Sequence, residues 1–191
     1  MSLSLKTSLA AELGWLCEDK NENSQCTDRG TLRKQADFHF SEDVAGGTDA
    51  VWVLKNTPLP AGGTHTHDLE TLVREMFREY VTVRLAEVYT LFFVNHAPGE
   101  TLRVGGAAAH AWSGFFGADE HFFHVPADGF FCISAAKNPW EVSSEKSLLK
   151  IQNPGTLDAV YDIALVGRKF SDDPETSSSG GSGSGGSGSD F

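Results

Sequence analysis

The 191-residue sequence predicts an all-β fold, an antiparallel β-sandwich of jelly-roll or Greek-key type with at most one or two short helices. Three observations carry that expectation. Short runs rich in β-branched and aromatic side chains recur through residues 80–167, each bounded by turn-forming residues. The 13 Phe and 20 Gly belong together, as aromatic strands joined by glycine turns. Strands do not alternate with long helical patterns, which argues against a doubly wound parallel sheet.

In chain order, residues 2–9 alternate as SLSLKTSL, which predicts a strand with Leu3, Leu5 and Leu9 inward. Residues 10–16 allow a helical turn, and 17–30 read as a polar loop. Residues 1–36 are expected to be an arm that packs on, or swaps between, subunits. Residues 32–40 alternate again, with Phe38 and Phe40 on one face and His39 on the other. A glycine turn at 45–48 leads to a short buried strand at 50–54, stopped by Asn56 and the Pro58/Pro60 pair. Residues 64–69 read as a strand. Residues 70–79 carry Leu72, Val73, Met76 and Phe77, a spacing that predicts one or two helical turns. Strands follow at 80–85, 88–94, 101–104, 121–125, 129–134, 140–142, 148–151 and 159–166. The turns between them include Asn95-His96-Ala97-Pro98-Gly99, Gly105-Gly106, Pro126-Ala127-Asp128-Gly129 and Asn153-Pro154-Gly155. A single domain is therefore expected over 1–169. Residues 170–191 are expected to be a disordered tail, because their Gly/Ser run buries nothing apolar.

The formal net charge of −11 disfavours nucleic acid and anionic membranes as partners. No apolar run is long enough to cross a bilayer as a helix. The N-terminus lacks the basic start and unbroken apolar stretch of a secretory signal, so synthesis in the cytosol is expected. Three cysteines, Cys17, Cys26 and Cys132, are too few for a disulfide framework. Cys17 and Cys26 can pair across the loop between them in an oxidising compartment; free thiols are the plainer reading.

His65, His67 and Glu70 form the sharpest chemical constellation. Residues two apart on a strand share a face, so both imidazoles suit one metal ion, as in a cupin-like metalloenzyme. The cupin motif needs three or four residues between the second His and the Glu; here only Asp68 and Leu69 intervene. Solvent-facing strand histidines are the competing reading, and no metal or other cofactor is expected. His121 and His124, three apart, point to opposite faces of a strand. Ser113 lacks the first glycine of a hydrolase elbow, Ala111 standing in its place. Trp52, Trp112 and Trp140 suit either a core or the platform of a carbohydrate-binding module.

Three aromatic doublets, Phe115-Phe116, Phe122-Phe123 and Phe130-Phe131, break strict alternation. Adjacent strand residues face opposite sides, so each doublet sends one ring outward, where it needs a covering surface. These six rings and Trp112 are the candidate subunit interface, cover by another segment of the same chain being the alternative.

The ordered pieces LAEVYTLFFVNHAPGETLRVGGAAAHAWSGFFG, FHVPADGFFCIS and LLKIQNPGTLDAVYDIALVG resemble small structural proteins of tailed phages and prophages. The resemblance covers residues 37–167 and departs from the pattern at Pro126-Ala127-Asp128-Gly129, where a second glycine is usual. It implies a non-enzymatic virion component, a capsid decoration or minor capsid protein made in the host cytoplasm. Its implied partners are copies of itself, with a trimer favoured, and the major capsid protein or other virion proteins.

Overall fold

The computed structural model describes residues 5–21, 24–39, 48–76 and 78–170, with side chains described for all of these except 17–21, 24–28, 38–39 and 76. The expected turn at 45–47 and the Gly/Ser tail from 171 onward lie outside the described residues.

Eight strands build a sandwich: β3 (Ala50–Leu59), β4 (Thr64–Asp68), β7 (Leu85–Asn95), β8 (Leu102–Gly105), β9 (Phe122–Val125), β10 (Phe130–Ser134), β12 (Leu148–Gln152) and β13 (Ala159–Lys169). One sheet runs β10-β7-β13-β3, with the two-residue β11 (Trp140–Glu141) continuing the β10 side of β7. The other runs β4-β12-β8-β9. All of these strand pairs are antiparallel. Counting the eight strands in chain order, the sheets read sixth-third-eighth-first and second-seventh-fourth-fifth, which is jelly-roll connectivity. The expected sandwich is thus present, and no helix occurs among the described residues.

The core follows from alternation. In β13, Tyr161, Ile163 and Leu165 are buried while Val160, Asp162 and Ala164 are half-buried. They share one core cluster with Leu85, Leu91 and Phe93 of the neighbouring β7 and with Leu102, Val104, Leu149 and Ile151 of the opposite sheet. Two buried asparagines tie the turns at one end. Asn153 Nδ2 donates to the carbonyls of Leu59, Pro60 and Leu157, and its Oδ1 accepts from Gly155 N–H. Asn95 Nδ2 donates to the carbonyls of Glu100, Val125 and Pro126, and its Oδ1 accepts from Ala97 N–H. Glu100 Oε1 accepts from the backbone of Thr156 and Leu157. A Cβ at position 155 would meet the Glu100 carboxylate, which would have to shift from its bonds to Thr156 and Leu157 to make room.

Several local expectations are corrected. Residues 70–79 are not helical: β5 (Leu72–Met76) and β6 (Glu79–Val83) form a hairpin instead. Leu72 is buried, the Val73 carbonyl accepts from Trp52 Nε1, and Arg74 donates to the Val51 carbonyl. Tertiary bonds to β3 thus override a short helical pattern. The strand expected to end at 54 runs on to Leu59 as β3. Asn56, at φ 50°, forms a bulge opposite Asp162, whose Oδ1 accepts from its N–H at 2.6 Å. Pro58 is tolerated because β3 is a sheet edge.

The largest correction is N-terminal. Among the described residues, the expected helical turn at 10–16 and loop at 17–30 are absent. In their place β1 (Lys6–Asn21) and β2 (Ser24–His39) pair in unbroken antiparallel register as a separate two-stranded sheet. The register sets Cys17 opposite Asp28 and Cys26 opposite Asp19, so the two cysteines are offset rather than directly paired.

Candidate functional site

Two clusters gather the chemically distinctive side chains. The first lies between the sheets. β4 alternates with Thr64 and Thr66 exposed and His65 and His67 turned inward. Both imidazoles converge on the Tyr161 hydroxyl of the opposing sheet, His65 Nδ1 at 2.9 Å and His67 Nε2 at 3.0 Å. A hydroxyl has one proton to give and lone pairs to accept, so it can donate to one ring and accept from the other. Trp52 packs edge-on against His67 at 5.0 Å between ring centroids. Burial, then the neighbouring His65, pushes the His67 pKa down to about 4. Burial also raises the Tyr161 phenol, which keeps it a neutral hydrogen-bonding group. The alternative of solvent-facing strand histidines is therefore corrected: the pair faces the core. Glu70 does not join it. No group of three His, Cys, Asp or Glu side chains among the described residues is placed to hold a metal ion. The Glu70 N–H instead closes a turn on Asp68 Oδ1.

The second cluster lies where the two sheets end side by side. β9 and β10 are edge strands of opposite sheets, joined through the turn Pro126-Ala127-Asp128-Gly129. Asp128 sits at φ 53° in this turn, a conformation that Asp tolerates better than most residues. The aromatic rings fill the gap between the edges. Phe123 stacks against Phe115 at 5.7 Å and lies 5.4 Å from Phe116 and 5.6 Å from Phe131. Beneath them Trp112 is 1% exposed and donates from Nε1 to the Glu141 carbonyl. Phe122, Phe123 and Phe130 remain 39%, 44% and 69% exposed. Arg103 lies over the Phe122 ring.

The doublets divide in three ways. Phe130-Phe131 alternates as expected, with Phe130 outward and Phe131 packed against the core. Phe122 and Phe123 are both exposed, because at the edge neither face of β9 is fully covered. Phe115-Phe116 is not in a strand. It lies in a turn closed by the Ser113 carbonyl, and both rings pack against the core. Trp112 belongs to that core rather than to the surface, as does Trp52 at 2% exposure; Trp140 is half-buried against it.

His121 and His124 do not converge. His121 Nδ1 lies 3.0 Å from the Phe116 carbonyl oxygen, whereas His124 is exposed on β9 beside Phe122. Ser113 Oγ donates to Asp119 Oδ1, with no histidine in the pair. A further feature escaped the sequence: the arm formed by β1 and β2 exposes Leu13, Trp15, Leu16 and Leu32. The signal was present as alternation on both sides of residue 22, but it becomes readable only once the register is known.

Compared with protein-family models, with curated proteins and with solved structures, the chain matches none.

Proposed function

We propose that this protein is a non-enzymatic structural component that associates with copies of itself and binds the surface of a virus particle, as a capsid decoration or minor capsid protein. The observation that carries the reading is the exposed aromatic edge at Phe122, Phe123 and Phe130, where two sheet edges lie side by side. Exposed sheet edges bearing large apolar side chains invite pairing with another chain unless covered. The particle assignment is supported by the resemblance of three ordered sequence pieces to tailed-phage structural proteins. The first and third of those pieces include the Asn95–Glu100, Gly105-Gly106 and Asn153–Gly155 turns, where Asn95, Glu100 and Asn153 bind the backbone of neighbouring connections.

Light scattering at micromolar concentration tests the self-association. A homo-oligomer, with a trimer favoured, is expected, and it should fall to monomer in Phe122→Ser/Phe123→Ser/Phe130→Ser while the melting transition persists. A wild-type monomer would remove the reading. Labelling of purified particles by an antibody to the chain tests the location. A second reading, a cupin-like metal-dependent enzyme, rests on the inward-facing His65 and His67 alone, since Glu70 does not join them. Stoichiometric zinc, iron or manganese that is lost in His67→Ala would put that reading first.

A further inference from the structure

The β1–β2 arm has two chemically different faces. Directly opposed residues share a face in an antiparallel pair. One face carries Leu9/Ala36, Ala11/Lys34, Leu13/Leu32 and Trp15/Gly30. The other carries Ser8/Asp37, Ala10/Gln35, Glu12/Arg33 and Leu16/Arg29, with Arg33 Nε 3.8 Å from Glu12 Oε2. Trp15 lies across Gly30, where any Cβ would collide with the indole, so the first face is flat at that level. At the base of the arm this face is half-covered, at Leu5, Thr7, Leu9 and Ala36. From Ala10 to Leu16 every residue is exposed, with Leu13 at 64% and Leu32 at 69%.

A free two-stranded ribbon is marginally stable at best in water. Each strand of the arm has 16 residues and spans about 54 Å, against about 37 Å for the 11-residue strands of the sandwich. The described outer part is uncovered by its own domain. Its apolar face has one charge, Lys34, between residues 9 and 15 on one strand and 30 and 36 on the other. A chain of net charge −11 repels its own copies, so a contact between copies needs a surface without acidic groups, which this face provides.

We infer that the apolar faces of arms from identical copies pack against one another, with Leu13 and Leu32 at the centre of the contact. The inference rests on the self-association proposed above and assigns it a second surface. The face offers roughly 230 Å² per copy over this stretch, and two such faces fall below the ~1,000 Å² of a specific interface. Arm packing therefore reinforces the aromatic-edge contact instead of replacing it.

The test uses the full chain with Cys17, Cys26 and Cys132 replaced by Ser, its fold checked by the melting transition. Single cysteines are then placed at Leu13, Leu32, Phe123 or, on the polar face, Ala10. Under mild oxidation at micromolar concentration, Leu13→Cys mixed with Leu32→Cys should give covalent dimers at least tenfold faster than Ala10→Cys. Equal rates at positions 10 and 13, or no cross-link in a chain that scatters as an oligomer, would overturn the arm contact alone. Preferential linkage of Leu13→Cys to Phe123→Cys would also overturn it, by placing the arm on a neighbour's aromatic edge. A monomeric parent chain would instead remove the self-association proposal. Leu13→Asp/Leu32→Asp gives an independent readout: amide exchange in residues 9–16 should speed up at least tenfold while the sandwich strands stay protected. Unchanged exchange would count against any cover on this face.

Discussion

At the scale of single residues, His67 and Asn153 show how a polar group enters an apolar core. His67 is neutral at pH 7 because its buried ring is expensive to charge. Its folded pKa of about 4 lies below the ordinary 6.5, so the unfolded chain takes up the proton first as pH falls. The stability that His67 contributes is complete above about pH 6.5 and is lost progressively down to about pH 4, by up to about 3 kcal/mol. Urea midpoints at pH 7 and pH 4 should show that loss in the wild type and a smaller one in His67→Gln; equal losses would mean that other groups carry it. Asn153 holds three carbonyls and one N–H from two connections. Asn153→Ala strands buried acceptors and should cost about 2–4 kcal/mol, read from the same denaturation curves. Asn95 and Asn153 were visible in the sequence as turn residues. What was not visible was that each reaches back across more than one connection. The His65–Tyr161 contact was equally hidden, because 96 residues separate partners that meet only after both sheets form.

At the scale of elements, alternation located the strands wherever one face meets the core. The expected runs at 64–69, 88–94, 101–104, 129–134, 148–151 and 159–166 correspond to β4, β7, β8, β10, β12 and β13. It failed where neither face is fully buried. Residues 10–16 read as a helical turn and 17–30 as a loop because no packed core marks one face of the arm there: residues 10–16 are all exposed. It failed again at 70–79, where apolar pairs four apart also suit a hairpin whose strands reverse at Arg78. Arg78 holds φ at 71°, in the left-handed region that costs a side chain about 1–2 kcal/mol. Arg78→Gly removes that cost against the extra entropy glycine loses on folding, so a net gain of about 0.5–1 kcal/mol is expected. A rise in the urea midpoint with unchanged slope would show it. A fall would mean that the Arg78 side chain contributes more than its backbone costs.

At the scale of the whole molecule, the exposed apolar surface and the charge pull in opposite directions. The aromatic edge and the arm present Phe122, Phe123, Phe130, Leu13, Trp15 and Leu32 to solvent, and covering them favours association. The net charge of −11 opposes it, since each copy approaching another meets a like-signed surface. Sequence alone nominated the Phe doublets but not the geometry that makes two of them an edge, because that depends on β9 and β10 ending opposite sheets side by side. The balance predicts an unusual salt response. Raising ionic strength from about 10 mM to 150 mM shortens the screening length from about 30 Å to 8 Å. The repulsion between copies weakens while apolar burial is untouched, so self-association should tighten, with the dissociation constant from sedimentation falling several-fold. An interface built on complementary charges behaves oppositely, because salt screens the attraction that holds it. Weaker association at 150 mM salt would therefore exclude apolar packing as the main cohesive force and direct attention to the charged face of the arm, where Glu12, Arg29 and Arg33 lie.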